Sequence, residues 1–203
     1  MSRQIHTRFI EISRGVSTRL AEAIEACGPV RLTPRNDVPL CEMLCRIVAG
    51  QQLSTKAAST IWGRVVETAG DSSLSDHIAA TDTEILRGCG LSNSKARAMK
   101  AIVAAKNEGL LDTGTLRRLR HDERSRQLKS IRGVGQWTAD MISMFYFADK
   151  DVWPQTDVTV WKTLQRLTDK RRSTERTATL FAPHRTYLAL YLYRIADSKP
   201  QET

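Results

Sequence analysis

The stretch IRGVGQWTADM, Ile131 to Met141, sets two glycines one residue apart between helical runs and follows them with a tryptophan. After so bare a corner, the first N–H groups of the next helix face outward with the positive helix end behind them, which is chemistry for holding a phosphate. The same geometry also serves as a plain corner, because a tight turn puts residues at positive φ where a Cβ would clash. A dinucleotide cradle is excluded: it needs a preceding strand and a third glycine, whereas DERSRQLKSI reads as helix and QWT supplies none. Lysines and arginines number 31 against 22 acidic residues, a formal charge of +9. Several of them, Lys95, Arg97, Lys100, Lys129 and Arg132 included, crowd this corner and its echo RGCG, Arg87 to Gly90. That balance tips the reading toward a nucleic-acid backbone.

The elements that must hold this corner are helical. Ile5, Phe9, Ile12, Val16, Leu20 and Ile24 recur at spacings of three and four, one amphipathic helix stopping near Gly28 and Pro29. Pro39 opens a helix that gives way to GQQLS at Gly50 to Ser54, and Ser54 caps a helix closed by Gly70. Thr81 with Glu84 forms a capping box, and Ser92 or Ser94 caps KARAMKAIVAAKNEG. Alternating strand patterns are missing, so the fold class is all-α.

The four cysteines form no CxxC pair; Cys41 and Cys45 lie four apart on an apolar helix face and read as buried thiols, with no metal site. The first residues lack the apolar run of a signal peptide, and no stretch reaches the length of a membrane span. An intracellular protein with no membrane partner is expected.

LKSIRGVGQWTADMISMF, followed by DVWPQTDVTVWKTLQRL, resembles the helix-hairpin-helix (HhH-GPD) DNA glycosylase superfamily, closest to its AlkA-type 3-methyladenine DNA glycosylase II branch. RIVAGQQLSTKAA, CGLSNSKARAMKAI and FAPHRTYLALYLYR extend the similarity from about Leu40 to the C-terminus. The resemblance implies two helical lobes, residues 37–144 with the hairpin and residues 1–36 plus 145–203, with the active-site cleft between them. It places the catalytic carboxylate on Asp157, with Thr156 capping the same helix, and the base pocket on Trp137, Tyr193 and Met141. Arg132, Gly133, Val134, Gly135 and Thr138 fall on the DNA-binding hairpin, and Gln51, Gln52 and Leu53 on the wedge that fills the gap left by an extruded base. His184 and Arg185 start a helix that supports the cleft.

The implied activity is hydrolysis of the N-glycosidic bond of alkylated purines. A fixed carboxylate stabilises oxocarbenium character on the sugar, and a cationic base leaves without a general acid. Aromatic walls favour such a base by about 0.5 to 2 kcal/mol. Trp137 stands where the bifunctional branches carry a Schiff-base lysine, so the reaction stops at an abasic site. No cysteine lies beyond Cys89 to hold an iron–sulfur cluster. No cofactor is called for, an alkali cation at the hairpin being left open. The expected partner of a monomer is double-stranded DNA containing damaged bases, in the cytoplasm and nucleoid or, in a eukaryote, the nucleus. From its helical start, a compact version without the β-rich N-terminal domain of larger relatives is expected. Thr156 and Thr159 depart from a second aspartate and a glycine common in related sequences, which leaves base preference open. Two alternatives stand beside this reading: a glycosylase of the same fold for another damaged purine, and a non-catalytic DNA-binding module.

Overall fold

The computed structural model describes residues 1–169 and 172–198, and among them every regular element is helical, with no strand. The chain divides into two compact units: residues 1–34 with the chain from 148 onward, and residues 35–147. No helix of the described residues is long and apolar enough to cross a membrane.

The first unit opens with α1 (Arg3–Arg14) and α2 (Thr18–Cys27). The single helix expected across Ile5 to Ile24 is therefore two. Gly15, β-branched Val16 and Ser17 are poor helix formers in a row, and Ser17 turns extended at φ −166° and ψ 134° to start α2. Folding α2 back on α1 turns Phe9, Leu20 and Ile24 into one core. Phe9 also packs against Phe181 at 4.9 Å and Tyr191 at 5.8 Å between ring centroids, which ties α1 to the end of the chain.

The second unit carries α3 (Leu40–Gly50), α4 (Thr55–Ala69), α5 (Leu74–Ala80), α6 (Thr83–Gly88), α7 (Asn93–Asn107), α8 (Thr113–Arg118), α9 (His121–Lys129) and α10 (Gln136–Met141). Its core joins Leu44, Cys45 and Val48 of α3 to Met99, Ile102 and Val103 of α7 and to Leu128, Ala139 and Ile142 around the hairpin. Burying such side chains stabilises by roughly 1.5–3 kcal/mol each, so the hairpin is fixed by the core beneath it. Cys41, Cys45 and Cys89 are buried free thiols, while Cys27 is only half-buried.

Ser54 and Ser92 cap α4 and α7 as expected, each accepting a first-turn N–H. The capping box at Thr81 is not formed. Asp82 stands at the N-cap of α6, and Thr81, which ends α5, turns its hydroxyl to the His77 ring at 3.2 Å. Past Met141 the helix continues as a π-turn, Ile142–Tyr146, in which the Phe147 N–H reaches the Ile142 carbonyl at 3.1 Å. The chain then returns to the first unit with α11 (Val158–Leu167), α12 (Thr174–Thr179) and α13 (Arg185–Asp197).

Candidate active site and nucleic-acid interface

In the first unit, Pro154 breaks the chain ahead of α11, and its carbonyl accepts the Asp157 N–H at 2.9 Å. The N-cap is Asp157 itself, not Thr156: Oδ1 accepts the Val160 N–H at 2.9 Å. The cap and the candidate catalytic carboxylate are thus one group. Its other oxygen, Oδ2, accepts the Tyr193 hydroxyl of α13 at 2.9 Å, and the residue is only 7% exposed. Each oxygen accepts a hydrogen bond, one from the first turn of α11 and one from α13. The result is a carboxyl group oriented from two elements.

α13 is itself anchored. His184 stands at its N-cap, and Arg185 grips Asp151 through Nε at 2.8 Å and Nη2 at 3.0 Å. Burial raises the Asp151 pKa, but the Arg185 hydrogen bonds and charge outweigh it, and the carboxyl sits below its ordinary range.

In the second unit, the two glycine corners are built differently. At the hairpin, Gly133 has φ +88°, and a Cβ there would run into Ala98 of α7. Gly135 is extended at φ −94° and ψ −179°, a conformation open to any residue, and a Cβ on it would meet nothing within 4 Å. In the first corner the positive φ, +103°, belongs to Gly90, whose Cβ would stand 3.1 Å from Ile61 of α4. Both corners do hold a glycine at positive φ, as a tight turn requires, and in each corner it is one glycine that makes the turn.

Gly135 starts α10 without a side-chain cap. Gln136 behind it is held on three sides: its Nε2 donates to Asp140 Oδ1 at 2.8 Å and to Ser125 at 3.2 Å, and Lys129 Nζ donates to its Oε1 at 2.8 Å. Asp140 is 2% exposed and faces His121 Nε2 at 3.3 Å. Arg132, Gly133 and Gly135 stand at the surface, while Val134 and Thr138 are buried. Thr138 therefore leaves the set of DNA-facing residues. It is 1% exposed, and its hydroxyl accepts the Gln51 amide at 3.0 Å.

The GQQLS loop between α3 and α4 is held from two helices. Gln51 is bound to Thr138, and Lys95 of α7 donates to the carbonyls of Ala49 at 2.9 Å and Gln51 at 2.7 Å. Gln52 is exposed and lies at φ +59°. Leu53, 40% exposed, joins Trp137, Met43, Ile47 and Ala58 in lining an open groove of about 670 Å³, with Arg35 and Arg46 on its walls. Trp137 is half-buried there; Met141 is buried and does not line it. Lys95, counted by sequence among the basic residues of the corner, is turned inward instead. Its position carried a signal: three residues after Ser92, a capping box holds Glu or Gln, not a cation. The Gln136–Asp140–His121 set left no comparable mark in the sequence.

Among the described residues no group of three or more His, Cys, Asp or Glu is placed to hold a metal ion. The family model described as HhH-GPD superfamily base excision DNA repair protein matches residues 45–182. DNA-3-methyladenine glycosylase 1 of Schizosaccharomyces pombe is 34% identical over 161 residues, 75% of this chain and 71% of that protein. The structure of S. pombe 3-methyladenine DNA glycosylase (Mag1) in complex with abasic DNA is similar with a TM-score of 0.78 and 28% identity, covering 94% of this chain and 95% of that one. A DNA-3-methyladenine glycosidase of Bacillus halodurans matches with a TM-score of 0.78 and 28% identity over 95% of this chain and 89% of its own.

Proposed function

We propose, from the premise that this chain belongs to the HhH-GPD superfamily of base excision DNA repair proteins, that it is a monofunctional DNA glycosylase for alkylated purines of the 3-methyladenine and 7-methylguanine type. Its substrate is a damaged base extruded from duplex DNA; the relatives named 3-methyladenine DNA glycosylases, one of them in complex with abasic DNA, support this reading. The observation that carries the reading is the Asp157 carboxylate, buried, doubly hydrogen-bonded and set at a helix start.

The C1′–N bond breaks with its electron pair going to the base. An alkylated purine that began cationic departs neutral, which removes the need for an acid. The sugar gains oxocarbenium character, and Asp157 stabilises that charge at a fixed point without reorganising. Water then adds at C1′ and gives up its proton, with Asp157 as the acceptor. Trp137 offers a ring face to a cationic base, a preference of about 0.5–2 kcal/mol. Because Trp137 stands in place of a Schiff-base lysine, the strand is left uncut.

Extrusion costs a few kcal/mol of stacking and pairing, which something must offset. Gln52, exposed on its turn, fills the vacated space and hydrogen-bonds the orphaned partner base. The surface glycines of the hairpin let backbone N–H groups approach a phosphate, with Arg132 beside them.

A panel of duplexes, each with one altered base, tests the reading. Release is expected from methylated purines, with strand scission only after alkali, and borohydride is expected to trap no covalent adduct. Release confined to oxidised or deaminated purines would move the assignment to another base. Duplex binding without release of any base would leave a DNA-binding module.

A further inference from the structure

The loop between α3 and α4 is a β-turn. The Leu53 N–H closes it on the Gly50 carbonyl at 3.2 Å, Gln51 has φ −53° and ψ 133°, and Gln52 has φ +59°. Those are the dihedrals of a type II turn, whose third position favours glycine; here it is a glutamine. Types I and II differ by a flip of the central peptide, the one joining Gln51 to Gln52. Its carbonyl belongs to Gln51, and that oxygen takes the 2.7 Å bond from Lys95 Nζ. The second Lys95 bond, to Ala49 at 2.9 Å, fixes the ammonium just ahead of the turn.

We infer that Lys95 is the positioning residue of the wedge: its two carbonyl bonds lock the central peptide of the Gly50–Leu53 turn in the type II orientation, and so aim Gln52. The inference rests on the reading of Gln52 as the wedge. A flip to type I would relieve the left-handed backbone of Gln52 and swing its side chain elsewhere, so the unlocked loop drifts toward the wrong aim. Gln51 adds a brace through Thr138, but a side-chain amide bond leaves the central peptide free to turn.

The same geometry gives the first glycine corner its task. Gly90, at φ +103° against Ile61 of α4, lets the turn ahead of α7 sit close on α4, and Lys95 in the first turn of α7 then reaches the loop that feeds α4. The first corner serves the wedge; the second meets the phosphate.

The test is a cycle of Lys95→Met, Gln52→Ala and the double variant in the full chain. The substrate is a duplex with one alkylated purine beside 2-aminopurine as a reporter of unstacking. Lys95→Met is expected to slow single-turnover base release roughly 10- to 100-fold, with a matching loss of unstacking signal. Lys95→Arg, which keeps charge and donors, restores most of both. On the Gln52→Ala background Lys95→Met costs nothing further, whereas a merely structural lysine would slow both backgrounds alike. Lys95→Gln replaces the methionine variant, with the same criteria, should that one not fold. Wild-type release and unstacking in Lys95→Met, with Gln52→Ala slow, would overturn the positioning role and leave the wedge standing. Additive losses, or a loss confined to affinity with a shallower salt dependence, would overturn it in favour of a structural or phosphate-binding lysine. Wild-type rates in Gln52→Ala would instead remove the wedge reading itself, and this inference with it.

Discussion

The two glycine corners of the second unit, RGCG and RGVG, look like copies in the sequence and are not copies in space. At the first, the left-handed residue is the second glycine, Gly90; at the hairpin it is the first, Gly133. The spare glycines differ as well: Gly88 ends α6, and Gly135 is the extended, surface-facing N-cap of α10. A repeated motif therefore marks a repeated need for a tight turn and says little about what each turn presents. One corner seats its turn against Ile61 of α4, just ahead of the helix that carries Lys95; the other exposes a bare helix start.

The largest effect expected from breaking this contrast is at Gly133. Gly133→Ala forces a Cβ into Ala98 at a left-handed φ, and about 2–4 kcal/mol of stability is expected to be lost in denaturant titrations. Adding Ala98→Gly should return the steric part and leave the backbone part. Gly90→Ala meets only the movable Ile61 side chain at 3.1 Å, so about 1–2 kcal/mol is expected. Equal losses at the two sites would mean that backbone strain alone decides. Gly135→Ala has open space and an ordinary φ, so its stability should stay within about 0.5 kcal/mol of wild type. Its effect belongs to DNA: a methyl group on the bare helix start should weaken duplex binding, and unchanged affinity would remove Gly135 from the phosphate contact.

A small, pH-dependent effect lies in the first unit, where Asp151 holds Arg185 and the start of α13. Its folded pKa is below the ordinary value near 3.9, so its stabilisation is present above that value and lost as the pH falls through the lower, folded one. With Asp151 about a third exposed, solvent screening leaves about 1 kcal/mol or less. Asp151→Asn should flatten the acid limb of the stability profile by that amount, and an unchanged limb would assign it to other carboxyls.

Much of this was legible in the residues. Helical periodicity, Gly70 as a stop and the serine caps at Ser54 and Ser92 depend on neighbours within one turn, and local chemistry settles them. Asp157 was picked out by the resemblance to the glycosylase superfamily, not by local chemistry, and the cap expected at Thr156 falls on Asp157 itself. What stayed hidden is tertiary. Which glycine turns left depends on Ala98 and Ile61, far along the chain. The inward turn of Thr138 and Lys95 depends on a loop more than forty residues away in sequence. The break at Gly15–Ser17 was missed because the apolar spacing of Ile12, Val16 and Leu20 persists across it, while backbone propensity and the packing of α2 on α1 decide the bend.

The central claim is that Asp157 performs the bond cleavage. The most direct measurement compares wild type with Asp157→Asn, each saturating a duplex that carries a single alkylated purine, and scores the freed base. The asparagine keeps an oxygen for the Val160 N–H and loses the charge. Wild type should free the base and leave an intact strand that breaks only in alkali. Asp157→Asn should hold the same duplex and fall in rate by at least about 10³-fold. Base release by Asp157→Asn at the wild-type rate would contradict the account.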